Sequence, residues 1–134
     1  MKKAYLSIGY QNRRKLEAEI TAVRELLSAH QMELFVFVDQ YQFAPEEEQQ
    51  MMQQAFRDIS GSDLLLAEVS EKAIGVGIEI GYAAALGKPI IYLRHTLAEH
   101  STTAAGAAGY SVIYPGAAEI ASLLAPILAK LELQ

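Results

Sequence analysis

Short, solidly apolar runs alternate along this chain with longer stretches in which apolar residues return every three or four positions. The solid runs are Ala4–Ile8, Leu34–Val38, Asp63–Val69, Ile90–Leu93 and Tyr110–Tyr114. They are rich in strand formers and largely lack polar alternation, which predicts strands buried on both faces of a parallel sheet. Between them Leu16, Ile20, Val23, Leu26 and Leu27 keep helical spacing and predict a helix over Asn12–Ala29. Met51, Met52, Ala55, Phe56 and Ile59 form the apolar face of another, opened by Pro45 and Glu46–Glu48 and broken by Ser60, Gly61 and Ser62. Ile78, Ile80, Tyr82 and Ala83–Leu86 supply a third, stopped by Gly87 and Pro89. Pro115 and Gly116 turn the chain into a last helix over Ala117–Leu131, and Thr96–Gly109 reads as a mobile loop with one short helix.

Strands and helices in strict alternation predict a three-layer α/β sandwich. We expect a single domain over residues 1–134 with a five-stranded parallel sheet in the flavodoxin-like order 2-1-3-4-5. Ligands in such sheets bind beyond the carboxyl ends of the strands, where the strand order reverses. The loop after the first strand, Gly9–Arg14, and the turn after the third, Ser70–Glu79, should meet there.

Composition narrows the choice of ligand. The net charge is −5, which argues against binding a nucleic-acid polymer through charge. No cysteine is present, so thiolate chemistry and Cys-ligated metal are excluded. His30, His95 and His100 share no metal-ligand spacing, and neither metal nor cofactor is expected. No stretch approaches a membrane span and the N-terminus lacks a signal-peptide run, so the expected location is the cytoplasm.

Ala73–Leu93, AIGVGIEIGYAAALGKPIIYL, reads as turn, helix and buried strand. Gly75 and Gly77 would let the backbone approach a ligand, and Glu79 would fall in the first helical turn. There the unpaired N–H groups and the dipole would keep its carboxylate ionised. Such a group is either a nucleophile or sugar-hydroxyl acceptor, or an acid that merely complements the dipole. Tyr5 or Ser7 at the strand end would join it, as would Arg13 and Arg14, which either hold a phosphate or form a solvated helix face. Glu68 either faces the ligand or points elsewhere, as strand alternation allows both. Asp63 reads as a structural turn residue.

Asp63–Gly81, DLLLAEVSEKAIGVGIEIG, with the Gly87–Lys88–Pro89 turn, resembles the nucleoside 2-deoxyribosyltransferases. It is more similar still to their relatives, the 2′-deoxynucleoside 5′-phosphate N-hydrolases. The resemblance implies cleavage or transfer at the N-glycosidic bond of a nucleoside or its 5′-monophosphate, with Glu79 as nucleophile and Tyr5 orienting it. The switch-point placement itself leads us to expect substrate contacts from Ser7, Gly9, Arg13, Arg14, Gly75 and Gly77. The resemblance also implies a homodimer or larger homo-oligomer, in which Ser101 reaches a phosphate across the interface. Ala55 stands where the family carries a catalytic aspartate, with Glu48 and Asp58 elsewhere on the same helix. Ala73 replaces a polar residue, and GYQNRR replaces a glycine-rich phosphate loop. These departures keep a second reading open, a non-catalytic nucleotide-binding module.

Overall fold

In the computed structural model, which describes residues 1–132, five parallel strands form one sheet in the order β2-β1-β3-β4-β5. The strands are β1 (Lys2–Ile8), β2 (Met32–Val36), β3 (Leu64–Glu68), β4 (Ile90–His95) and β5 (Tyr110–Tyr114). The helices are α1 (Tyr10–Lys15), α2 (Glu17–Ala29), α3 (Phe37–Gln40), α4 (Glu48–Ser60), α5 (Ile74–Ala85), α6 (Thr102–Ala107) and α7 (Ala117–Glu132), with a 3-10 turn at Pro45–Glu47. The order reverses at β1, which lies between β2 and β3, as the strand pattern predicts.

Each face of the sheet carries its own core. Ala4, Leu6, Leu34, Val36, Leu64 and Leu66 face α2 and α7, where Ile20, Val23, Leu27, Ile120, Leu124 and Leu128 close over them. Tyr5, Phe35, Leu65 and Ala67 point the other way, onto Ile59 of α4 and Val76, Ile80 and Ala83 of α5. The central strands are apolar on both sides because both sides are covered.

Several boundaries differ from the sequence expectation. The helix expected over Asn12–Ala29 begins at Tyr10 and breaks at Leu16, whose φ of −105° and ψ of 39° separate α1 from α2. Strand β2 ends at Val36 instead of Val38, because the pairing with β1 stops at Leu6↔Val36. Phe37 then enters a single helical turn and is half-buried among aromatic rings instead of within the sheet.

The largest correction concerns α5. The expected turn at Gly75 and Gly77 is already helical, with Ala73 as N-cap, so Glu79 lies in the second turn and not the first. Burial of Val76 and Ile80 against the sheet outweighs the poor helix propensity of the two glycines. The helix ends at Leu86, and Gly87 takes φ 72°, a left-handed conformation suited to glycine. Among the described residues no helix is long and apolar enough to cross a membrane.

Candidate functional site

The centre of the site is a carboxylate clamped by two hydroxyls. Tyr5 and Ser7 alternate along β1 and so share the face turned to α5. The Ser7 hydroxyl donates to Glu79 Oε1 at 2.6 Å, and the Tyr5 hydroxyl donates to Glu79 Oε2. Burial pushes the Glu79 carboxyl above its ordinary value, while the Ser7 and Tyr5 bonds pull it back. The expected hold by the helix dipole and first-turn N–H groups is therefore replaced by a side-chain clamp. Burial and the adjoining Glu79 charge push the Tyr5 hydroxyl well above its usual range, so it remains a donor. A carboxylate with both oxygens fixed at the carboxyl edge of a sheet is preorganised to attack, or to accept from, one defined point on a ligand.

The adjoining loop is more crowded than its sequence suggests. A Cβ at Gly9 would meet the carboxylate end of Glu71, which would have to swing aside to admit it. The Oε1 of that carboxylate accepts the Asn12 backbone N–H at 3.0 Å. Arg13 is fully engaged with acids. Its Nε and Nη2 form a fork onto Asp39 at 2.9 Å each, and Nη1 reaches Glu17 at 2.8 Å. Arg14 lies exposed on α1. The Arg13–Glu17 pair has the i,i+4 spacing that a sequence displays, whereas Asp39 arrives from the far side of β2 and Glu71 from the turn after β3.

Ser101 and Gly77 belong to a different part of the molecule from the clamp. They line a cleft of about 450 Å³ between α5 and α6, together with Ile74, Ile80, Gly81 and Ala104. Gly75, Tyr5, Ser7 and Glu79 are absent from its walls. Ser101 caps α6 by accepting the Ala104 N–H at 3.3 Å. Within one chain the fold thus unites Tyr5, Ser7 and Glu79, turns the Arg13 side chain to Asp39 and Glu17, and leaves Ser101 on the other flank of α5.

Two further groups frame the site. Past β2, Phe37, Tyr41 and Phe43 form an aromatic cluster, with Phe37 and Phe43 stacked at 6.0 Å and Phe37 6.4 Å from Tyr5. Gln54 of α4 donates to both the Tyr41 hydroxyl and Asp58 Oδ1 at 3.1 Å. Ala55 is buried, as a core residue. Asp58, one turn further along α4, has a buried Oδ2 without a hydrogen-bond partner in the structure, and its charge is among those raising the Tyr5 hydroxyl. Glu68 faces away from Glu79, into the opposite core. It is 4% exposed and accepts from the Ser70 N–H at 2.8 Å, the Ser70 hydroxyl at 3.0 Å and the Tyr114 hydroxyl at 2.5 Å.

Fold and site together define an α/β domain with one clamped carboxylate at its switch point. The chain belongs to the nucleoside 2-deoxyribosyltransferase family, whose model matches residues 4–120. It is 52% identical over 46 residues to a protein of Syntrophotalea carbinolica assigned as 2′-deoxynucleoside 5′-phosphate N-hydrolase 1, covering 34% of this chain and 32% of that one. It is 44% identical over 52 residues to the 5-hydroxymethyl-dUMP N-hydrolase of Rattus norvegicus, covering 39% of this chain and 28% of that one. The aligned stretches thus span under a third of either relative. Among solved structures, the CMP N-glycosidase of Clostridium botulinum aligns over 92% of this chain and 99% of its own with a TM-score of 0.67 at 21% identity. A 2-deoxyribosyltransferase of Bacillus psychrosaccharolyticus aligns over 89% and 90% with a TM-score of 0.66 at 13% identity. At these identities the two structures share the fold.

Proposed function

We propose that this protein cleaves or transfers at the N-glycosidic bond of a nucleoside or nucleotide, with Glu79 as the nucleophile. The observation that carries the reading is the clamp: Tyr5 and Ser7 hold both oxygens of one carboxylate at the switch point of a family whose name is the transfer of deoxyribose. Glu79 attacks the anomeric carbon, and the base leaves with the electron pair of the C–N bond and takes a proton from solvent water. The sugar remains on Glu79 as an ester. Water completes a hydrolysis, and a second base completes a transfer. Burial makes the carboxylate a better nucleophile than a solvated one, while the Tyr5 and Ser7 hydroxyls keep it aimed.

The alanine at position 55 favours a second reading, a nucleotide-binding module without turnover, because a methyl group exchanges no proton. Asp58 supplies a carboxylate one turn away. The two readings part on base release from a panel of nucleosides and 5′-monophosphates, followed by chromatography. Release that disappears in Glu79→Gln supports the enzyme; binding without release supports the module. We further propose that two copies associate through the α5/α6 cleft, whose rim carries Ile74 at 86% exposure. In such a dimer Ser101 serves the partner's site.

A further inference from the structure

Two very short helices follow β1 and β2 at the carboxyl edge of the sheet, and neither can hold itself in place. α1 has six residues and α3 has four; neither contains a buried residue or carries a side-chain N-cap. Helical turns of that length are not stable alone. Arg13 joins them. Its Nε and Nη2 form a planar fork on Asp39 of α3, and its Nη1 reaches Glu17 at the start of α2, so one guanidinium ties three helices together. The Arg13 side chain is 19% exposed and that of Asp39 31%, which leaves a two-pronged, charge-assisted contact partly withdrawn from water.

The fork matters for what Asp39 is attached to. Asp39 sits between Phe37 and Tyr41 in the chain. The Phe37 ring packs on Tyr41 at 5.0 Å, stacks on Phe43 at 6.0 Å and lies 6.4 Å from the ring of Tyr5. Tyr5 also stacks on Phe35 at 5.8 Å, and its hydroxyl holds Glu79 Oε2. A chain of contacts therefore runs from Arg13 through Asp39, Phe37 and Tyr5 to the clamped carboxylate. Each nitrogen of the guanidinium already has an acid partner, so a ligand could reach it only by breaking the fork or the Glu17 pair. We propose that Arg13 is a positioning residue: it fixes the aromatic segment 37–43 against Tyr5, and through Tyr5 it aims Glu79, instead of contacting the substrate. For Glu79 this rests on the glycosyl-transfer reading above; for the segment it stands without it.

The test compares Arg13→Lys, Asp39→Asn and the double variant, each in the full chain. Lysine keeps the charge and loses the fork, whereas asparagine keeps the shape and loses the charge. Hydrogen exchange read by mass spectrometry follows the segment. Amides of residues 37–43 should exchange about three- to tenfold faster in each single variant and no faster again in the double, since both changes remove one contact. Covalent labelling by a fluorinated, slowly turned-over deoxynucleoside follows the clamp. Its limiting rate should fall by about three- to tenfold in all three variants, while the concentration giving half that rate moves by less than about twofold. Glu17→Gln leaves the fork intact and should move neither readout. Unchanged exchange in the single variants overturns the inference, as do effects that multiply in the double or a labelling rate that no variant moves. A rate that falls in Arg13→Lys but holds in Asp39→Asn marks a direct ligand contact and overturns it too. A wild type that takes no label overturns the glycosyl-transfer reading instead, and exchange alone then decides whether Arg13 fixes the segment.

Discussion

At the scale of the residue, Glu79 carries two separable consequences. Its carboxylate is the proposed attacking group, and an amide is a far poorer nucleophile, so Glu79→Gln should abolish covalent glycosylation while the fold persists. Mass spectrometry after incubation with a fluorinated, slowly turned-over deoxynucleoside checks this: wild type should gain the mass of one sugar and the variant none. The second consequence is thermodynamic. Burial raises the Glu79 carboxyl above its ordinary 4.5, so the native state binds that proton more tightly than the unfolded chain. The stability this contributes is complete below 4.5 and is lost as pH rises through the folded value. Melting curves from pH 5 to 8 should therefore show wild type losing stability relative to Glu79→Gln as pH rises; parallel curves would contradict the raised carboxyl. The meeting of Glu79 with Tyr5 and Ser7 was legible from the strand and helix pattern. The second-turn position of Glu79 was not, because two glycines ahead of it suggested a turn, and only the packing of Val76 and Ile80 shows that the helix starts earlier. Glu71 was hidden for another reason: its partners Gly9 and Asn12 lie some sixty residues away in sequence (59 for Asn12).

Among elements, the carboxyl ends of four strands are tied by one buried acid. Glu68 closes β3, takes two donors from Ser70 and one from Tyr114 of β5, and lies 3.5 Å from Asn12 Nδ2 after β1. The Ser70 hydroxyl in turn accepts the His95 N–H at the end of β4 at 2.8 Å. Replacing Glu68 by leucine leaves several buried donors without an acceptor, which should lower stability by about 2–4 kcal/mol. Glu68→Gln should recover much of that, because its amide oxygen still accepts the Ser70 N–H; chemical denaturation of both variants checks the ranking. Element order and sheet topology followed from the apolar runs alone. The ends of α1 and β2 did not, since Leu16 and Phe37 keep their apolar character while their backbones leave the regular pattern.

For the whole molecule, one chain leaves Ser101 and Glu79 on opposite flanks of α5. If two copies pack at the cleft, sedimentation at micromolar concentration should show a dimer, and Ile74→Asp on the exposed rim should dissociate it. A monomer for wild type would remove Ser101 from the site altogether. The single-chain layout, five strands with the switch point at β1, could be read from the sequence; pairing between chains could only be inferred from resemblance, because small residues such as Gly77, Gly81 and Ala104 suit an interface and an intramolecular contact equally well.

The contact between Gly9 and Glu71 also couples two positions far apart in the chain. A methyl group at 9 would meet the flexible end of the Glu71 side chain, which must swing aside and give up the Asn12 N–H. Gly9→Ala should therefore cost no more than that one hydrogen bond, and nothing further once residue 71 has been shortened to alanine, a non-additive pair in a double-mutant cycle.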